Sequence, residues 1–180
     1  MNPEFTKPSK VYFFGTCLID ACYPDAGLAA VRLIEREGVR VVFPAGQTCC
    51  GQPAYNSGFP DQARIAARQQ LRTFGQDLPV VVPSGSCAGM MKHHYPALFA
   101  GTEDLAPARA LAGRVFEWSE FMVRVLGVRY EDRGPFLRVT WHSSCHALRE
   151  MKVVEFSKQL LRQLRNVELA EMTGEHECCG

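Results

Sequence analysis

The sequence has 180 residues, a formal net charge of +1 and a hydrophobic content of 47%, which is enough to bury the core of one domain or of two small ones. A charge so close to zero gives no electrostatic reason to expect nucleic acid or an acidic membrane surface as a partner. No apolar run approaches the roughly 18 residues that span a bilayer, and residues 1–10 lack an apolar signal core, so we expect a cytoplasmic protein without a membrane span.

Strands and helices alternate in the first part of the chain. Short apolar runs bounded by glycine or proline indicate strands, and apolar residues spaced three and four apart indicate helices. The pattern predicts strands at residues 10–14, 39–43 and 79–82, and helices at 24–37 and 61–74. The segment from 90 to about 115 is interrupted by prolines and glycines, and we expect it to link two halves through short helical pieces.

The same alternation restarts in the second part. Helices are predicted at 118–126 and 152–164, and strands at 136–141 and 167–170. The expected fold is α/β, with two pseudo-repeated β-α-β halves at residues 10–115 and 116–180, each built on a parallel sheet. Loops that follow parallel strands meet at one edge of the sheet, which is where open α/β sheets bind their ligands.

The cysteines form a pattern that occurs twice. Cys17 precedes an adjacent pair at 49 and 50 and then Cys87, while Cys145 precedes a second pair at 178 and 179. The two copies stay in register, since 145 − 17 = 128 and 178 − 49 = 129. Stable disulfides are rare in a reducing compartment, so metal or redox chemistry is the expected use of these thiols.

Thiolates are the natural ligands of iron–sulfur clusters and also of zinc. There are 31 residues between Cys17 and Cys49 and 36 between Cys50 and Cys87, so a folded scaffold has to bring the ligands together. The glycine after each pair lets the backbone approach a bulky group and lets amide N–H groups face sulfur. The candidate ligands are Cys17, Cys49, Cys50, Cys87, Cys145, Cys178 and Cys179.

Longer strings around these cysteines resemble a known family. The sequence is similar to the lactate utilisation protein A family, whose cysteine-rich CCG domain also occurs in the heterodisulfide reductase B subunit and the glycolate oxidase iron–sulfur subunit. The resemblance implies an iron–sulfur subunit, with clusters of the 4Fe–4S type, that works with partner iron–sulfur and accessory proteins to oxidise L-lactate to pyruvate. The strings are FGTC at 14–17, TCCGQPAYNSG at 48–58, PSGSC at 83–87 and SCHALRE at 144–150.

Two departures from the family pattern affect the expected ligand sets. The fullest motif ends in Cys-x-x-Cys, but here Met90 stands in the last position, and we interpret it as a packing residue because a thioether is a weaker ligand than a thiolate. The first site then offers four thiolates, which suit an ordinary cubane, a smaller cluster or zinc. The repeat would place another ligand near position 215, beyond Gly180, so we expect a fragment whose second site is incompletely ligated.

Other readings remain open at this point. A heterodisulfide-reductase-like or glycolate-oxidase subunit would keep the fold and change the substrate, and a non-redox, zinc-stabilised binding module would use the same four thiolates. Cys22 lies outside the repeat and is interpreted as a structural residue. His142 and His146 flank Cys145, and hydrogen bonding to the backbone explains them more simply than metal ligation. No nucleotide-binding glycine motif occurs in the sequence.

Overall fold

The computed structural model of the chain describes residues 5–131 and 134–178. These residues divide into two compact units. The first unit comprises residues 8–118, and the second comprises 119–131 and 134–178 together with residues 5–7. The boundary at 115/116 that the sequence predicts stays a prediction, because a division into compact bodies does not by itself define repeats.

A four-stranded parallel sheet forms the centre of the first unit. Its strands lie in the order β2-β1-β3-β4, so β1 is central and pairs with β2 on one side and β3 on the other. Short apolar runs form the strands, and the two central strands, β1 and β3, are the most deeply buried. The strands are β1 (Lys10–Phe13), β2 (Arg40–Val42), β3 (Val80–Val82) and β4 (Val115–Glu117).

Seven helices of the first unit connect these strands, and two of them were predicted almost to their ends. Helix α2 begins with Pro24, which suits the first turn of a helix, and ends just before Gly38, whose φ is +76°. The helices are α1 (Cys17–Cys22), α2 (Pro24–Arg36), α3 (Gln52–Asn56), α4 (Pro60–Thr73), α5 (Gly85–Gly89), α6 (Tyr95–Leu98) and α7 (Leu105–Ala112).

The core of the first unit lies between the sheet and these helices. All three residues of β3 are fully buried. The ring of Phe74, just after α4, packs edge-on against Tyr12 and Phe14, with centroid distances of 5.2 and 5.9 Å. Aromatic pairs in this geometry add to the burial of apolar area, and they fix the end of α4 against the central strand.

The segment from 90 to 115 differs most from the prediction. A π-helical turn at Met90–His94 joins α5 to α6, so the backbone is helical from Gly85 to Leu98. Pro96 lies inside this helical stretch, two residues after the π-helical turn, and cannot donate a backbone hydrogen bond there. The segment then adds a helix, α7, one of the short helical pieces that the sequence predicts, and an edge strand, β4, that it does not predict.

The second unit contains a two-stranded parallel sheet. Its strands, β5 (Leu137–Thr140) and β6 (Val167–Ala170), pair along their whole length, and helix α9 (Val154–Arg162) lies between them in sequence. A short helix, α8 (Trp118–Glu120), and a π-helical turn at Phe121–Val125 replace the single helix predicted at 118–126. A second π-helical turn, His146–Glu150, follows β5.

The α/β fold class with parallel sheets is therefore confirmed. In each unit a strand is followed by a helical crossover and then by a parallel strand, as the apolar pattern predicts. Among the residues that the structure describes, no helix combines the length and the apolar character needed to cross a membrane.

Candidate metal centre

The first group of cysteines lies where the strand order of the first sheet reverses. From β1 the chain goes first to β2 on one side and later to β3 on the other, so the loops after β1 and β3 diverge and leave a crevice between them. Cys17 follows β1, the pair at 49 and 50 follows β2, and Cys87 follows β3. Three separate segments therefore deliver thiols to one edge of the sheet.

Cys17 is the first residue of helix α1 rather than a loop residue. Thr16 caps this helix, since its hydroxyl oxygen accepts a hydrogen bond from the backbone N–H of Ile19 at 3.3 Å. The cap fixes the direction in which the helix leaves β1, and Cys17 is left solvent-exposed. Cys22, at the other end of the same helix, is also exposed, so burial in the core does not account for it.

The loop that carries the cysteine pair is fastened to the end of β1 by Gln47. Its side-chain amide donates to the carbonyl of Phe13 and accepts from the N–H of Gly15, both at 3.0 Å. One side chain thus satisfies two backbone groups at the strand end, much as a neighbouring strand would. Gln52, just after the pair, donates to the carbonyl of Ser86 at 3.0 Å and ties the loop to the segment that carries Cys87.

Two buried side chains hold the backbone of the pair itself. The amide of Gln70, on α4, donates to the carbonyl and the hydroxyl of Thr48 at 2.9 and 2.7 Å and to the carbonyl of Cys49 at 3.3 Å. The phenol of Tyr95 donates to the carbonyl of Cys50 at 2.8 Å. Both side chains are completely buried. The sequence analysis named neither residue.

Cys87 lies in the first turns of α5, two residues after Gly85, and is buried together with Cys50. The two sulfur atoms are 3.4 Å apart, which is much longer than the roughly 2.05 Å of a disulfide. The contact is therefore a hydrogen bond between a thiol and its neighbour. It brings together residues from the loops after β2 and β3, which flank the central strand.

Neighbouring sulfur atoms shift the pKa of three cysteines in this group. The hydrogen bond with Cys87 raises the pKa of Cys50, burial raises it further, and the same bond lowers the pKa of Cys87. Partial desolvation raises the pKa of Cys17, and its contact with Cys49 and the charges of Cys49 and Cys50 raise it further. Electrostatic effects of this kind require short distances. Cys17, Cys49, Cys50 and Cys87 thus form one cluster of interacting thiols, in which Cys87 is the residue that most readily carries the negative charge.

The four thiols of this group are the candidate donors for a bound metal or cluster. Among residues 5–131 and 134–178, no group of three or more His, Cys, Asp or Glu side chains is arranged to hold one metal ion. Ligands of an iron–sulfur cluster bind different iron atoms, so they need not converge on a single point. Four neighbouring thiols, two of them buried at a ligand-binding edge of the sheet, provide the donor set that such a cluster requires.

Gly51 has a conformation that only glycine adopts easily. Its φ is +86°, and a Cβ there would lie 2.9 Å from the carbonyl oxygen of Ala63 on α4. Its N–H donates to the sulfur of Cys49 at 3.5 Å. The N–H of Gly51 therefore faces a cysteine sulfur, as the sequence predicts. The absence of a Cβ also lets the backbone at Gly51 lie close to the backbone of helix α4.

The second group of cysteines is described only in part. Cys145 directly precedes the π-helical turn after β5 and is half-buried, Cys178 is exposed, and Cys179 lies outside the described residues. His146 is 2.7 Å from the carboxylate of Glu150, a partner within its own turn. In the first unit, Met90 is completely buried, as expected for a packing residue.

Comparison with known proteins gives a consistent result. The cysteine-rich CCG domain model matches residues 11–92 and 139–180. A protein of Geobacillus kaustophilus named Lactate utilization protein A is 46% identical over 174 residues, which cover 95% of this chain and 72% of that protein. Relatives of the same name from Oceanobacillus iheyensis and, as Lactate utilization protein A 2, from Bacillus cereus are 42% and 40% identical over 95% of the chain. The chain belongs to the lactate utilisation protein A family of CCG-domain proteins.

Proposed function

We propose that this chain is an iron–sulfur redox subunit of a cytoplasmic, multi-protein system that oxidises L-lactate to pyruvate. Its relatives carry the name Lactate utilization protein A, which supports the substrate, and its CCG domain supports a cysteine-bound cofactor. We propose that it acts as an oxidoreductase only together with partner iron–sulfur and accessory proteins, since no nucleotide-binding motif of its own occurs in the sequence.

The observation that carries the proposal is the mutual proximity of four thiols at the β1/β3 switch point. Cys17, Cys49, Cys50 and Cys87 come from three segments, yet the sulfur atoms of Cys50 and Cys87 are 3.4 Å apart, and neighbouring thiols shift the pKa of Cys17, Cys50 and Cys87. These residues would hold the cluster, which would be of the 4Fe–4S type. When bound, it supplies a centre that accepts and returns single electrons.

The protein residues around the thiols have separate tasks. Cys50 and Cys87 are only 2% and 7% exposed, so they exclude water from one side of the site, while the exposed Cys17 leaves the other side open to an electron partner. The Gly51 N–H faces the sulfur of Cys49, and hydrogen bonds to ligand sulfur raise the reduction potential of such centres. The protein thereby fixes the potential at which electrons pass.

We also propose that the chain contains two halves, at 10–115 and 116–180, with a second ligand set of Cys145, Cys178 and Cys179. Support comes from the order of elements, because each unit places a cysteine after the first strand of a parallel pair. The CCG match over residues 11–92 includes Cys17, and the match over residues 139–180 includes Cys145, Cys178 and Cys179.

Anaerobic reconstitution of the chain with iron and sulfide, followed by metal analysis and EPR spectroscopy, tests the proposed cofactor. We expect a brown protein with bound iron and an EPR signal on reduction. A folded but colourless protein that retains stoichiometric zinc and no iron would replace this proposal with a zinc-stabilised binding module.

Growth of a strain lacking the gene tests the substrate. We expect loss of growth on L-lactate and normal growth on glycolate, with growth on lactate restored by the intact gene. Normal growth on lactate would instead favour the glycolate-oxidase or heterodisulfide-reductase-like reading of the same fold.

A further inference from the structure

The peptide bond between Cys50 and Gly51 is held at both of its polar ends. Its carbonyl oxygen accepts a hydrogen bond from the phenol of Tyr95 at 2.8 Å, and its N–H donates to the sulfur of Cys49 at 3.5 Å. In a planar trans peptide the C=O and N–H point in opposite directions. A bond that fixes the carbonyl on one side therefore fixes the N–H on the other.

The backbone at Gly51 allows a second orientation of this peptide. Its φ of +86° and ψ of −1° are those of the third residue of a type II turn. Rotating the preceding peptide by half a turn gives a type I turn, in which that residue has φ near about −90° and ψ near about 0°. Glycine adopts both conformations at similar cost, so the local sequence does not select between them.

Contacts from outside the loop must therefore determine which of the two peptide orientations is adopted. Tyr95 is completely buried and lies 45 residues further along the chain, where the helical stretch after β3 holds it against the cysteine loop. If the peptide were turned over, the phenol of Tyr95 would face the N–H of Gly51 and would have no acceptor for its hydrogen bond. A buried carbonyl left without a donor is destabilising, and this cost decides between two turns of similar energy.

We infer that Tyr95 is a positioning residue that locks the Cys50–Gly51 peptide with its N–H toward the sulfur of Cys49. The inference rests on the proposed function, because its consequence concerns a cluster bound by that sulfur. With the lock in place, a donor faces the ligand and stabilises the added negative charge of the reduced centre. With the peptide turned over, a carbonyl oxygen would face the same sulfur and disfavour reduction.

The test compares Tyr95→Phe with the wild-type chain and with Tyr12→Phe, a matched loss of a hydroxyl from another buried tyrosine, in the central strand. All three are reconstituted anaerobically with iron and sulfide and titrated by EPR. For Tyr95→Phe we expect unchanged iron content and a reduced-to-oxidised ratio about tenfold lower at a given potential, a downward shift of about 59 mV for one electron. Tyr12→Phe should keep the wild-type potential.

An unchanged potential in Tyr95→Phe would overturn the inference while leaving the proposed cofactor intact. If Tyr95→Phe fails to fold, Gly51→Ala approaches the same question from the other side, because alanine disfavours the positive φ and its Cβ would meet the carbonyl oxygen of Ala63 at 2.9 Å. In Gly51→Ala protein that keeps the wild-type iron content, the potential should again be lower. If the wild type binds no iron, the proposed function fails separately. The inference is then decided by the NMR resonance of the Gly51 amide in the reduced, metal-free chain, which must move in Tyr95→Phe and stay in place in Tyr12→Phe.

Discussion

The sulfur atoms of Cys50 and Cys87 lie 3.4 Å apart, although 37 positions separate the two residues in the chain. One follows β2 and the other follows β3, so their contact bridges the loops on either side of the central strand. The packing of the sheet and its helices brings these two thiols together. Folding therefore meets the entropy cost of bringing the two side chains to one place.

Replacing Cys87 by serine should abolish metal retention. Serine has nearly the same size but offers a hydroxyl where a thiolate ligand is needed, and Cys87 is the thiol whose pKa the hydrogen bond from Cys50 lowers. Iron per chain after anaerobic reconstitution and desalting measures the effect, with Cys22→Ser as the control. Equal iron content in both variants would remove Cys87 from the ligand set.

Alkylation of the two exposed cysteines of α1 offers a test that needs no mutation. Cys17 and Cys22 lie at opposite ends of this six-residue helix and are both exposed, so both should react with iodoacetamide in the metal-free chain. After reconstitution only Cys17 should be protected, because a metal-bound thiolate is not available as a nucleophile. Mass spectrometry of the peptides gives the ratio of labelled Cys17 to labelled Cys22. Equal labelling of Cys17 with and without metal would contradict its role as a ligand.

Replacing Gln70 by leucine should destabilise the cysteine loop. The change removes the donor to the carbonyls of Thr48 and Cys49, and buried acceptors left unsatisfied cost about 1–3 kcal/mol in the free energy of unfolding. Gln69→Leu, on the same helix, removes an exposed hydrogen bond to the carbonyl of Gly46 and a long one, 3.5 Å, to the hydroxyl of Thr73, and should cost about 0.5 kcal/mol or less. Urea denaturation followed by circular dichroism measures both, and equal losses would mean that the contacts of Gln70 add nothing.

The second unit should lose stability in mild acid through Glu175. Its carboxylate accepts hydrogen bonds from Lys158 at 2.6 Å and Ser143 at 2.9 Å, and the bond from Lys158 lowers its pKa most. A lowered pKa in the folded state means that the stabilisation is present above the unfolded pKa of about 4.3 and is lost as the pH falls through the folded value.

Thermal unfolding between pH 3 and 7 measures this dependence. In Glu175→Gln the loss of stability on acidification should be smaller than in the wild type. Glu168→Gln is the control, since its partner Arg138 is an exposed side chain at 3.1 Å, and such surface pairs contribute little. If Glu175→Gln lost as much thermal stability on acidification as the wild type, the carboxylate of Glu175 would not contribute to the pH dependence.

The parts of the fold that the sequence predicts well are those with strong apolar periodicity. Helices α2 and α4 and strands β1 and β6 were predicted to within one or two residues, because their apolar residues recur at the spacing of a helix or a strand. Strand β4 was missed because a helix follows it at once. Prolines and glycines between 90 and 115 indicated a linker with short helical pieces, and the structure has such pieces, with Pro96 inside one helical stretch and Pro107 in the first turn of α7.

The candidate site was predicted in its ligands and missed in its supports. Cysteines repeat in register and attract attention, whereas a glutamine within a helix is normally read as a solvated residue. The signal for Gln70 was nevertheless present, since the buried positions 63, 67, 70 and 74 follow the spacing of a helix face. No comparable pattern pointed to Tyr95, because its partner is a carbonyl 45 residues away, and only the tertiary structure brings the two together.

The supports of the cysteine loop share one chemical property. Gln47, Gln52, Gln70 and Tyr95 hold it through amides and a phenol, and none of these groups is charged at neutral pH. Dissolved ions screen interactions between charges but have little effect on bonds between neutral dipoles in a dry interior. The positions of these cysteines should accordingly be the same in dilute buffer and in strong brine.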